Sequence, residues 1–176
     1  LRHRDPDRIA LILITPDRGL TGGLNTSVNR LAGQFIVEQN GGTSVIAVGR
    51  KGRDFMVRTG QDVKAVFVDL GDRPALTAVT PIARLVIDDY RAERIDAVHV
   101  VYAQFVNTVV QKPVVASLMP VLPAELDPKD AVGYIYEPDS SRVLSELLPR
   151  FIEMQVYHAV LESIASEQSA RMVAMR

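Results

Sequence analysis

Cysteine is absent from this 176-residue chain, which excludes a disulfide framework and a thiolate metal site and suits a reducing compartment. An excess of either charge is missing too. Lys and Arg total 20 against 21 for Asp and Glu, a net charge of -1, so no global field draws the chain to nucleic acid or a lipid surface. No apolar run approaches the roughly 18 residues of a membrane span. Even residues 97–110 are broken by His99, Gln104 and Asn107. Low-complexity segments and internal repeats are likewise missing. The chain starts at Leu1 without an initiator Met and stops at Arg176 inside a helical pattern. It therefore reads as a segment of a longer protein, and a targeting signal is not open to judgement.

What is present is a large apolar fraction, 47% hydrophobic residues, enough for the core of a single compact domain. Residues 9–15 (IALILIT) form a continuous β-branched run ended by Thr-Pro-Asp and glycines, the pattern of a strand covered on both faces. Val28, Leu31, Ala32, Phe35 and Ile36 then recur at helical spacing, with Asn40-Gly41-Gly42 as a stop. The alternation continues with a strand at 45–48, a short helix at 51–59, a strand at 63–70, an apolar helical stripe at 76–87 and a strand at 97–103. Strands alternating with helices predict a mostly parallel sheet. Residues 109–118 form a further strand reached by a link too short for a helical crossover, so that pairing is expected to be antiparallel.

From Leu144 onward, mostly apolar positions alternating by three and four residues run through Leu147, Phe151, Met154, His158, Leu161, Ala165, Gln168, Met172 and Met175. This is a heptad seam. A continuous helix over it would extend about 48 Å, longer than a sheet of this size requires. Pro149 removes one helical hydrogen bond, so a kink or a fresh helix start is expected there. The alternative is an ordinary core helix lying on the sheet.

The residues that carry chemistry are sparse. The loop Asp17-Arg18-Gly19-Leu20-Thr21-Gly22-Gly23-Leu24-Asn25 follows a central strand and opens a helix, where many α/β proteins bind phosphate. It lacks the Lys and hydroxyl of a Walker A loop, and its glycines do not match G-x-G-x-x-G. Arg50, Lys51 and Arg53 after the second strand leave a 2′-phosphate binder of NADP type as one alternative. His3, His99 and His158 have no metal-ligand spacing, and the sequence contains no G-x-S-x-G. His99 reads as a core histidine and His158 as a polar member of the seam. Asp88, Asp89, Asp127, Asp130, Glu137 and Asp139 read by default as solvated carboxylates. Tyr134 and Tyr136 share one strand face beside Glu137, Pro138 and Asp139, a face that either meets a partner or packs inward.

Three motifs stand in one order: the loop at 17–25, Tyr134-Ile135-Tyr136-Glu137-Pro138-Asp139, and Ala165-Ser166-Glu167-Gln168-Ser169-Ala170-Arg171-Met172. Together with Phe105-Val106-Asn107-Thr108 and Gln155-Val156-Tyr157 they resemble the γ subunit of F-type ATP synthases over essentially the whole chain. The resemblance implies a three-layer α/β/α Rossmann-like domain with a mostly parallel mixed five-stranded sheet, spanning residues 1–139. Residues 140–176 would lead into a truncated coiled coil that lacks the family's N-terminal helix. It also implies a rotor without catalysis or cofactor, working with α, β and ε subunits and the membrane c-ring. Glu167, Gln168 and Arg171 match positions that face the β subunit. Tyr134, Tyr136, Glu137 and Asp139 match a region near the ring and ε. Asp17, Arg18, Gly19, Gly22, Gly23 and Asn25 belong to the signature loop, in which Thr21 stands where some members have Cys. No cysteine-bearing insertion of chloroplast type is present, so the resemblance favours a peripheral subunit at the cytoplasmic face of a bacterial plasma membrane over a mitochondrial one. An NADP-binding enzyme and an α/β adaptor dimerising through its last helix are the alternatives.

Overall fold

The computed structural model describes residues 7–39, 41–121 and 140–176. Five strands, β1 (Arg8–Ile14), β2 (Gly42–Val48), β3 (Asp62–Phe67), β4 (Ala97–Phe105) and β5 (Gln111–Met119), form one sheet in the order β3-β2-β1-β4-β5. The first four run parallel and β5 pairs antiparallel to β4. Helices α1 (Leu24–Glu38) and α2 (Arg50–Arg58) cover one face; α3 (Leu76–Arg91) and α4 (Ser140–Ala174) cover the other. The predicted three-layer mixed sheet is the observed one.

The apolar run of β1 follows from this placement. Ala10, Ile12 and Ile14 pack with α3 and α4, while Leu11 and Leu13 pack with α1 and α2, so every position needs an apolar side chain. The third strand ends at Phe67, earlier than predicted, because Asp69 takes a left-handed φ of 60° and its amide donates to Asp17 Oδ2 at 3.0 Å. The fifth begins two residues later than predicted. Val109 and Val110 lie in the hairpin turn, where both amides donate to Asn107 Oδ1 at 2.9 and 2.8 Å.

Helix α4 departs most from expectation. It starts at Ser140 and runs through Pro149 without a break, so no fresh start occurs there. Leu148, Phe151 and Ile152 around the proline pack on the core shared with α3, which holds the helix despite the lost bond. Its 35 residues span about 52 Å. Its buried face is also not the seam. Ile152, Val156, Ala159, Val160, Ser163, Ser166 and Ala170 are buried, and they too recur at three- and four-residue spacing. Stepping about 100° per residue, this stripe and the seam lie on nearly opposite sides of the helix. On the seam side Phe151, Met154 and Leu161 are half-buried, while His158, Ala165, Gln168, Met172 and Met175 are exposed among the described residues.

The buried stripe makes an unusual joint with β4. Strand β1 pairs with β4 only as far as Val101, leaving the next backbone groups on that edge without a strand partner. Side chains of α4 take its place: the Ala103 amide donates to Ser163 Oγ at 3.3 Å, Ser166 Oγ donates to the Ala103 carbonyl at 3.0 Å, and the Phe105 amide donates to Glu162 Oε1 at 3.1 Å. On the other side of β4, Pro113 sits opposite Ala103. Because Ala103 points its backbone groups away from β5, the proline costs the ladder no bond.

One carboxylate read as solvated is buried. Asp89 is 4% exposed and accepts from Arg94 Nε at 2.8 Å and from Lys64 Nζ. Burial pushes its carboxyl up, but the hydrogen bonds from Lys64 and Arg94 outweigh burial and bring it below the usual 3.8. Asp89→Asn is expected to cost about 2 kcal/mol in urea unfolding at pH 7. A lowered native pKa stabilises at pH above the unfolded value and is lost as pH falls through the native one. The stability gap between the parent protein and the Asp89→Asn variant should therefore narrow below about pH 4; a gap independent of pH would contradict the ion pairs.

Candidate functional site

In parallel α/β sheets, ligands bind outside the carboxyl ends of the strands. Here that edge gathers the 17–25 loop, the β2–α2 turn and the β3–α3 link, with α4 standing over them. The cleft between them holds about 360 Å³ and is lined by Asp17, Arg18, Gly49, Arg50, Asp69, Asp72, Ser163 and Glu167 among others. Its interior hydrogen bonds are already taken. Asp17 Oδ1 accepts from the Arg50 amide at 2.9 Å, and Arg50 grips Asp69 through two bonds of 2.6 and 2.7 Å.

Helix α2 offers no open N-terminus. The Arg50 amide bonds Asp17, the Lys51 amide donates to the Pro16 carbonyl at 3.1 Å, and the Gly52 amide donates to Thr15 Oγ1 at 2.8 Å. Two glycines make this closeness possible. A Cβ at Gly49, which has φ 114°, would strike the Thr15 carbonyl, and one at Gly52 would sit 2.9 Å from Leu13 Cδ2. A phosphate would have to displace these internal bonds. It would also meet four carboxylates, Asp17, Asp69, Asp72 and Glu167, against the two guanidiniums of Arg18 and Arg50. Arg53 is engaged with Asp54 at 2.9 Å. The bonds at this edge oppose the NADP alternative, as the glycine spacing does.

The signature loop serves a different end. Gly22 needs its positive φ of 61°, and Leu20 holds a left-handed φ of 63° while 73% exposed. An apolar side chain held outward on a strained backbone is a surface feature rather than a packing one. Arg18 is exposed beside it. Thr21 is buried, and its hydroxyl, like the side-chain oxygens of Asn25 and Asn29, has no hydrogen-bond partner. Thr21 is therefore held by packing and not by its hydroxyl.

Of the residues expected to face a β subunit, Glu167 and Arg171 pair with each other at 2.8 Å, and Arg171 Nη2 reaches the Gly19 carbonyl at 3.5 Å. The end of α4 thus meets the signature loop. Gln168 is exposed. Tyr134, Tyr136, Glu137 and Asp139 lie outside the described residues, as does His3. His99 is half-buried with its ring 4.8 Å from that of Phe35, and burial lowers its pKa from the usual 6.5. His158 is exposed. Among the described residues no group of His, Asp and Glu is arranged to hold a metal. No described helix is long and apolar enough to cross a membrane.

Comparison with known proteins decides what such a closed Rossmann-like domain is. The sequence model of the ATP synthase family matches residues 1–176. The chain belongs to the ATP synthase γ-chain family. It is 54% identical over its whole length to the ATP synthase gamma chain of Dehalococcoides mccartyi, covering 62% of that protein, and 52% identical over 96% of its length to that of Roseiflexus sp., covering 59%. The chain therefore spans about three fifths of the γ chains it matches. Among solved structures, the central stalk and c-ring of Tetrahymena thermophila mitochondrial ATP synthase contain a chain with TM-score 0.76 and 25% identity, covering 98% of this chain and 76% of that one. The rotor of Euglena gracilis mitochondrial ATP synthase shares the fold at TM-score 0.69.

The closed cleft yields a direct prediction. Calorimetric titration with NADPH at millimolar concentration should release no heat of binding. Saturable heat that disappears in Arg50→Ala would reopen the cofactor reading.

Proposed function

We propose that this chain is the foot of the rotating central stalk of a proton-driven ATP synthase. Turned by a membrane c-ring, it passes rotation through α4 to the α and β subunits and catalyses nothing itself. The observation that carries the reading is the two-sided helix: one stripe of α4 is buried in the domain, and a second, on nearly the opposite side, stays partly or wholly exposed out to Met172 and Met175. A helix about 52 Å long with an open heptad face is half of a coiled coil. The longer γ-chain relatives have additional sequence from which the other half can come.

In this reading Glu167, Gln168 and Arg171 are the residues presented to a β subunit, and the signature loop presents Arg18 and Leu20 at the same end. The Arg171 guanidinium is half-buried, held by Glu167 and within reach of the Gly19 carbonyl, so a β subunit would meet it through its remaining donors at the junction of α4 with the signature loop. Tyr134, Tyr136, Glu137 and Asp139 are assigned to the ring and ε by the family resemblance alone. The bacterial relatives favour a peripheral subunit at the cytoplasmic face of a plasma membrane. A second copy of this chain on the same seam is the rival reading. It predicts concentration-dependent association of the full-length chain that Leu161→Lys abolishes.

Reassembly of the full-length protein with α, β and ε subunits is the test. ATP hydrolysis should rise well above that of the mixture without it, and no rise would count against the rotor. Arg171→Ala should lower turnover about tenfold with helicity retained. Unchanged turnover would remove Arg171 from the β contact.

A further inference from the structure

The rotor reading leaves open how a helix is fixed to a sheet firmly enough to carry torque. Apolar packing holds a helix by shape, because its individual contacts are weak and non-directional. Hydrogen bonds to backbone groups define one position.

The α4–β4 junction supplies such bonds at one level of the sheet. Both backbone groups of Ala103 are engaged, its amide with Ser163 and its carbonyl with Ser166, and the Phe105 amide is engaged with Glu162. Ala103, Ser163 and Ser166 are all buried, Ser166 completely, so water does not stand ready to replace a broken bond. The three helix residues fall within about one turn, and the strand groups lie on the edge that β1 has left. Their arrangement opposes translation of α4 along its axis and rotation about it at once. Farther down α4, Thr80 Oγ1 donates to Glu153 Oε1 at 2.8 Å and the Tyr157 hydroxyl donates to the Pro74 carbonyl at 2.9 Å.

We propose that Ser163, Ser166 and Glu162 are positioning residues that lock the shaft helix to β4 and make this junction the torque-bearing joint of the domain. The inference rests on the rotor reading. Without the lock the helix stays on the sheet through Ile152, Val156 and Val160, but it yields when twisted, so hydrolysis at the hexamer and rotation of the foot become loosely linked. Size matters as well as polarity. Alanine at 163 and 166 removes the oxygens without adding bulk, whereas larger residues would lift the helix.

The experiment uses the full-length protein in the complete membrane-bound synthase. In Ser163→Ala/Ser166→Ala, exchange of the Ala103 amide should speed up about tenfold, since each bond contributes modestly and both are lost. ATP hydrolysis should persist, while proton pumping per ATP hydrolysed and the torsional stiffness of the single rotating molecule fall. Unchanged pumping per ATP and stiffness, with the amide exposed, would overturn the joint. Glu162→Ala, at a half-buried position, serves if the double variant does not assemble. It should lower the same two readouts, and Glu162→Gln, which keeps an acceptor for Phe105, should restore them; equal behaviour of the two would also overturn the proposal. Failure of the unvaried chain to join the assembly or raise hydrolysis is a separate outcome and strikes the rotor reading instead.

Discussion

The structure depends on α4 satisfying apolar demands on two sides. Its inner stripe, from Ile152 to Ala170, closes the core over β1 and β4, and burial of Ile152, Val156 and Val160 against α3 gives the helix its place in the domain. Its outer seam is left for something else. A helix devoted wholly to the core would carry polar residues where Met154, Leu161, Met172 and Met175 stand. That surplus is what the proposed rotor role rests on.

The carboxyl edge of the sheet combines a Rossmann-like layout with loops that bond one another. Strand order and helix placement are Rossmann-like, yet Asp17, Arg50 and Asp69 bond one another across the mouth, Thr15 and Pro16 occupy the first amides of α2, and α4 places Glu167 in the cleft. Each of these bonds stiffens three loops that would need freedom to admit a nucleotide. Rigidity at this edge fits the proposed rotor role. The same loops hold Leu20 and Arg18 outward, so the stiff edge doubles as a presenting surface.

Much of the layout is legible because local patterns and tertiary environment agree. The unbroken run in β1 specifies burial on both faces, and the short link before β5 specifies an antiparallel partner. Where several patterns overlap, reading becomes ambiguous. Helix α4 carries two stripes at the same spacing, and the one built from large residues is the outer one, whereas the inner stripe passes through Ser163, Ser166 and Ala170. Small polar residues in that register give no apolar signal, so the joint to β4 is invisible in the sequence. Asp89 misleads for a related reason. It continues the spacing of Val79, Ile82 and Val86 on α3, and that position alone marks it as buried. Its cationic partners come from β3 and from the turn after α3, and the Lys64 contact is one that only the fold assembles. The β-facing assignment of Glu167 and Arg171 comes from the family motif, and their mutual pairing follows from i,i+4 spacing on a helix.

The central claim is that the outer seam of α4 is an interface awaiting a helix. Oxidative footprinting of Met154 and Met172 tests it most directly, comparing this segment with the full-length protein at equal concentration. The account predicts strong protection of both sulfurs in the longer chain and ready oxidation in the segment, with the buried Met56 protected in each. Equal oxidation of Met154 and Met172 in the two proteins would mean that nothing covers the seam, and would contradict it.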